Sequence, residues 1–225
     1  MKTGWKRSYR VLAVAAVALL VAGGAVAVAQ AAHGGKGKAK KAQVAKRVVR
    51  SGVHADVSLI RADGSTDAFA VDRGKVTASS STSLTLARAD GKSVTFSVSS
   101  TTVARRMITV GRAALVFSRN GAAFRIIAAG PITAAPVMPA LAGKSPVVHL
   151  DVKFIRADGS TGEITLDRGT VTATSTTSLT IKRADGVSVT FSVGAGMIER
   201  GHLVVGGKAL VLSRNGAAVR LLARG

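Results

Sequence analysis

The chain has 225 residues, 32 basic and 11 acidic, for a net charge of +21, and it contains no cysteine. The missing cysteine excludes disulfide stapling, thiol catalysis and thiolate metal sites. Aromatic residues make up 4% of the chain, and Trp5 and Tyr9, the one Trp and the one Tyr, both lie in the leader. Their loss with a cleaved leader leaves few exposed platforms for stacking on bases or sugars.

Residues 1–10 carry Lys2, Lys6, Arg7 and Arg10, and residues 11–28 are an unbroken run of Ala, Val, Leu and Gly. Ala27-Val28-Ala29 and Ala29-Gln30-Ala31 follow as A-x-A cleavage sites, so Ala29, Gln30 and Ala31 mark the cleavage region. A basic start, an apolar run and a small-residue site form the layout of a secretory signal peptide. The alternative for residues 1–31 is an uncleaved N-terminal membrane anchor, since the run is at the short end of what spans a bilayer. Either way the expectation is export, to the medium or the cell envelope.

Residues 32–52 form a basic arm. Lys36, Lys38, Lys40, Lys41, Lys46, Arg47 and Arg50 appear with no acid, and Gly34, Gly35 and Gly37 break any early helix. Such an arm sits on an anionic surface, whether an envelope polymer, lipid headgroups or nucleic acid. It also reads as a solvated spacer that holds the following domains off the membrane. Residues 1–50 hold 11 of the 32 basic residues and none of the acids. The remainder therefore carries 21 basic against 11 acidic, or +10.

Residues 53–130 recur as residues 148–225 at a constant offset of 95, with about 47 of 78 pairs identical by direct count. That is an internal repeat. Each copy offers three hairpin turns: Asp63-Gly64, Asp90-Gly91 and Asn120-Gly121, then Asp158-Gly159, Asp185-Gly186 and Asn215-Gly216. Asp-Gly and Asn-Gly supply the positive φ of two-residue hairpins, which predicts an antiparallel meander. Between the turns, apolar residues alternate. Leu84, Leu86, Val94, Phe96 and Val98 face a core, while Thr85, Thr95 and Ser97 face out. Residues 114–118 and 123–128 are apolar on both faces over part of their length, which predicts a strand pair covered on both sides, by barrel closure or by the other copy.

A sheet of about six strands must close or pair to hide its edges. The prediction is all-β: two tandem small antiparallel β-barrels of five to seven strands each, after the N-terminal signal or anchor helix. The alternative is one composite domain in which the copies share a sheet or exchange a strand. Residues 131–146 link the copies and hold all four prolines, Pro131, Pro136, Pro139 and Pro146. Proline leaves central strands, so the linker is extended and semi-rigid. The barrel repeats are assigned to residues 53–130 and 147–225.

The order Gly169-Thr170-Val171, Ser178-Leu179-Thr180-Ile181, Arg183-Ala184-Asp185-Gly186, Val189-Thr190-Phe191-Ser192-Val193 and Val205-Gly206-Gly207-Lys208-Ala209-Leu210-Val211 carries a resemblance. It resembles an uncharacterised family of small OB-like barrel domains of secreted bacterial proteins. The likeness covers residues 72–130 and 167–225 and omits the first hairpin of each copy. It implies the fold and carries no functional residues.

Several residues merit a chemical reading. His54 and Asp56 recur as His149 and Asp151, two apart on one strand face and pointing outward. They are weak metal candidates, since zinc wants three or four ligands. A same-face hydrogen-bonded pair at a strand start is the plainer reading. Asp72-Arg73-Gly74 and Asp167-Arg168-Gly169 read as local, exposed ion pairs of little energetic weight. The Asp-Gly turns lack the oxygen series of a calcium loop. Ser118 and Ser213 sit outside any nucleophile elbow, so hydrolysis is not expected.

The reading is a non-catalytic, exported interaction or structural module without a cofactor. Its partner is an anionic envelope polymer or membrane surface met by the arm, with a protein partner left unnamed. The alternatives are a membrane-anchored accessory or sensor domain and nonspecific nucleic-acid binding through the arm. Sequence-specific nucleic-acid recognition is not expected.

Overall fold

The computed structural model describes residues 52–105, 107–128 and 146–224. The leader, the basic arm through Ser51 and linker residues 131–145 lie outside the described residues. Thirteen strands follow in order: β1 (Gly52–Arg61), β2 (Thr66–Ser79), β3 (Ser83–Arg88), β4 (Ser93–Ser97), β5 (Val103–Arg105), β6 (Ala113–Arg119), β7 (Ala122–Ala128), β8 (Val147–Arg156), β9 (Thr161–Thr174), β10 (Ser178–Arg183), β11 (Ser188–Arg200), β12 (Lys208–Arg214) and β13 (Ala217–Arg224). The described residues contain no helix, as the alternation and the turn residues predict.

Two compact units are present. One contains residues 52–56, 69–128 and 154–162, and the other contains 57–68, 146–153 and 163–224. Each unit thus includes a stretch of the first hairpin of the other repeat. Strands β1 and β8 of those hairpins lie outside the barrels described next.

Within the first unit, β2 pairs with β3, β3 with β4, β4 with β7, β7 with β6, and β6 returns to β2. That is a closed five-stranded ring. Four seams are antiparallel; the β4–β7 seam is parallel, and β5 continues it along β7. The second unit repeats the ring as β9, β10, β11, β13 and β12, again with one parallel seam, between β11 and β13. This strand order makes each an OB-like barrel, and closure removes the free edges that would otherwise invite pairing with another chain.

The barrel interiors match position for position. The first core is Val76, Leu84, Leu86, Phe96, Ala114, Val116, Ala123 and Ile126. The second is Val171, Leu179, Ile181, Phe191, Ala209, Val211, Ala218 and Leu221, each 95 residues further on. Residues 114–118 of β6 are buried throughout, as a strand apolar on both faces should be. Ala114 and Val116 point into the barrel, and Phe117 packs on the other side with Phe69 and Phe124 at centroid distances of 6.4 and 6.2 Å. Arg119 covers Phe124, its guanidinium 4.5 Å from the ring centroid. Phe96, Phe154 and Phe191 are buried as well, so the phenylalanines serve packing.

The turns divide into two kinds. At Asn120-Gly121 and Asn215-Gly216 both residues have positive φ, forming the expected two-residue hairpins. In the Asp-Gly turns only the glycine does. There the chain takes a three-residue loop closed by Arg61 N–H to Ser65 O at 2.9 Å, and the aspartate stays in an ordinary conformation. Asp63 then accepts bonds from the Ser65 amide and hydroxyl, which hold its carboxyl below the usual range.

Gly74 and Gly169 are required for a different reason. A Cβ at Gly74 would lie 2.5 Å from the Ala87 carbonyl oxygen, and one at Gly169 2.5 Å from that of Lys182. Both contacts are with backbone, which cannot move aside. We expect Gly74→Ala and Gly169→Ala each to lower stability by about 1–3 kcal/mol, read from the urea midpoint, whereas Ala at an exposed strand serine such as Ser93 changes it by less than about 0.5 kcal/mol.

Candidate functional site

Each barrel buries an ionic cluster. Asp72, on β2, has a side chain only 3% exposed, too buried to stay charged without partners. It has two. Arg88, at the end of β3, donates from Nη1 to its Oδ1 at 2.8 Å, and His54, on β1, lies with Nδ1 2.8 Å from the same oxygen. A carboxylate only accepts, so Nδ1 carries the proton in this bond. Arg88 also donates from Nε, at 3.0 Å, and from Nη2 to Asp90 in the adjoining turn, a two-pronged pair. His54 Nε2 faces Asp56 Oδ2 at 3.3 Å.

The second barrel repeats the arrangement. His149 Nδ1 lies 2.8 Å from Asp167 Oδ1, and Arg183 Nη1 donates to that oxygen at 3.0 Å. Arg183 also grips Asp185 from Nε at 3.1 Å and Nη2 at 2.7 Å. The aspartate, the arginine and the turn aspartate are all largely buried, and the histidine is partly exposed.

Local sequence explains the placement. Gly74 lies directly across from Arg88, and Gly169 from Arg183. Asp72 and Asp167 sit two residues before these glycines, hence on the same strand face. The turn that follows Arg88 returns Asp90 to its guanidinium because Arg88 N–H bonds Lys92 O and Gly91 N–H bonds Arg88 O.

The charges respond accordingly. The Asp72 bond raises the His54 pKa above its ordinary value, against burial and with help from Asp56. Arg88 holds the Asp90 carboxyl below the usual range, and Arg183 does the same to Asp185. Burial works against the Arg183 cation, but its bonds to Asp185 and Asp167 outweigh it.

Several expectations change here. Asp72 and Asp167 are buried, so the reading of Asp72-Arg73 and Asp167-Arg168 as exposed local pairs is replaced by a long-range one to Arg88 and Arg183. Asp90 and Asp185 do more than shape turns. His54 and Asp56 do share a face and touch, and the structure adds Asp72 behind them. One oxygen of Asp151, Oδ1, is buried without a hydrogen-bond partner. Among the described residues no group of three or more His, Cys, Asp or Glu is arranged to hold a metal ion, so His54, Asp56, His149 and Asp151 do not extend to such a set. Lys36, Lys38, Lys40, Lys41, Lys46, Arg47 and Arg50, with Ala29, Gln30 and Ala31, lie outside the described residues. Among the described residues no helix is long and apolar enough to cross a membrane. Ser118 and Ser213 are buried, and Ser213 shares a hydrogen bond with the Thr165 hydroxyl.

The sequence did hold a signal for the cluster. His, Asp, Arg and Asp at 54, 72, 88 and 90 recur together at 149, 167, 183 and 185, polar residues kept in step with two apolar cores. Comparison with protein-family models, with curated proteins and with solved structures finds no match.

Chemically, the arginine of each cluster is paired with two carboxylates. Removing the cation should be costly. We expect Arg88→Met to destabilise the protein by about 3–5 kcal/mol, because Asp72 is left buried with its charge uncompensated, and Arg88→Met/Asp72→Asn to recover part of the loss in thermal unfolding.

The histidine gives a pH signature. Its folded pKa lies above the unfolded value of about 6.5, so protonated His54 stabilises the fold fully below that pH, and the contribution is lost as pH rises through the folded value. His54→Asn should flatten the change in unfolding midpoint between about pH 5.5 and pH 8; an unchanged slope would assign the pH dependence elsewhere.

Proposed function

We propose that the protein is a non-catalytic, exported interaction or structural module of the cell envelope whose basic arm binds an anionic polymer. The observation that carries this reading is the partition of charge. Residues 1–50 contain 11 basic residues and no acid, whereas residues 51–225 contain 21 against 11. Two buried cations support it, because Arg88 and Arg183 are consumed by Asp72, Asp90, Asp167 and Asp185 and offer nothing to a ligand. The arm has no acid of its own to neutralise it. Its charge attracts phosphate or carboxylate polymers without regard to their sequence.

Residues 1–31 direct export, with cleavage at Ala29–Ala31 or retention as an anchor. The two repeats are tandem copies of an OB-like domain of the kind their strand motifs resemble. Membrane anchoring is the second reading, favoured by the apolar run of residues 11–28.

The arm is tested by replacing Lys36, Lys38, Lys40 and Lys41 with Ala. Binding of the full chain to purified cell-wall polymer should weaken, and the slope of log K against log salt should fall by about 3, near 0.7 for each lost contact. Co-sedimentation at several salt concentrations reads both. Parental affinity in the variant would sink the arm as the contact.

A further inference from the structure

The two barrels share their core positions, and one row of the outer face is among the places where their side chains differ in charge. In the second barrel, Thr170 on β9 lies directly across from Lys208 on β12 on one side and from Lys182 on β10 on the other. Lys182 in turn faces Ser188 on β11. Directly paired residues point to the same face, and the Lys208 ammonium reaches the Thr170 hydroxyl at 2.6 Å. The same row in the first barrel is Ala113, Lys75, Ala87 and Ser93. Two flanking alanines there are two lysines here.

Toward β10 and β11 the surroundings of the second row are hydroxylated, and on the β12 side Arg168 shares the face of Thr170, across from Leu210. Thr180 and Thr190 share a hydrogen bond at 2.9 Å, Thr172 donates to the Thr180 carbonyl, and Ser178 pairs with Ser192. No acidic residue occupies a register position of this face. The acids nearest in sequence, Asp167 and Asp185, are bonded to Arg183. Lys182 and Lys208 are exposed, and neither forms a salt bridge among the described residues. Neighbouring strands lie about 4.8 Å apart, so the two lysines are rooted about 10 Å apart, and their flexible stems can converge on one anion above Thr170.

We propose that this face, centred on Lys182, Thr170 and Lys208, binds a phosphodiester polymer without bases, such as a chain of polyol phosphates. The two ammoniums take a phosphate, and the Thr and Ser hydroxyls meet the polyol between phosphates. No aromatic side chain stands on the face, so it offers bases nothing to stack on. The proposal extends the anionic-polymer reading of the arm by naming a second contact and the chemistry of the polymer.

The test uses the full chain with fluorescently labelled poly(glycerol phosphate), read by anisotropy, in the parent and in a background with Lys36, Lys38, Lys40 and Lys41 replaced by Ala. In that background Lys182→Ala/Lys208→Ala should weaken binding about tenfold and reduce the salt slope by about 1.4, near 0.7 for each lysine. Lys182→Arg/Lys208→Arg should keep most of the affinity, and Lys75→Ala should change it little. Both lysines are exposed, so an unchanged thermal midpoint establishes that the variants fold. Affinity unaffected by Lys182→Ala/Lys208→Ala overturns the face, and if the arm substitutions abolish binding the arm alone is the contact. A parent that does not bind the polymer overturns both readings. Oligo-dT bound equally well through the same lysines overturns the assignment to a base-free polymer.

Discussion

A carboxylate inside a small barrel is the constraint on which the rest of the arrangement depends. Asp72 and Asp167 are each about 2% exposed. A lone charge in that position costs several kcal/mol, so the fold must deliver a cation and a second donor to it. Arg88 and Arg183 supply the cation from the end of the next strand. His54 and His149 supply the donor from a strand outside the ring. Asp90 and Asp185 then balance the arginine, and Gly74 and Gly169 allow the strands to approach closely enough for the bonds to form. Six conspicuous acids and cations, which in isolation read as turn residues or surface pairs, belong to this one requirement.

The cluster holds its histidine by a buried acid. Ion pairing of this kind fixes the relation of β1 to β2 and β3, and of β8 to β9 and β10, because the bonds demand specific geometry where apolar contacts would tolerate slippage.

The internal repeat sharpens this. Both barrels use the same eight core positions and the same cluster. Substitutions between the two interiors stay apolar, as at Leu86 and Ile181 or Ile126 and Leu221, because packing tolerates only apolar side chains of similar volume. At Lys75 and Thr170, Ala87 and Lys182, and Ala113 and Lys208 the side chains lie on the outer row, where no packing requirement holds them alike. Differences there are free to serve binding, and those three positions together move the row from one cation to two.

Much of the fold was legible in sequence. The Asn-Gly hairpins, the alternation around Phe96 and Phe191, the doubly apolar stretch at residues 114–118 and the barrel-scale closure follow from interactions within a few residues or from the need to hide edges. The charge partition between arm and barrels is likewise a property of sequence alone. Tertiary structure decided three other things. It set the parallel seam that closes each ring, since β4 and β7 meet through segments remote in the chain and no turn residue encodes that pairing. It set the make-up of the compact units, each of which includes part of the other repeat's first hairpin. And it chose the partners of Asp72 and Asp167, because whether an acid pairs with its neighbour or with an arginine sixteen residues away depends on which of them is taken out of water, and burial is a property of the packed barrel.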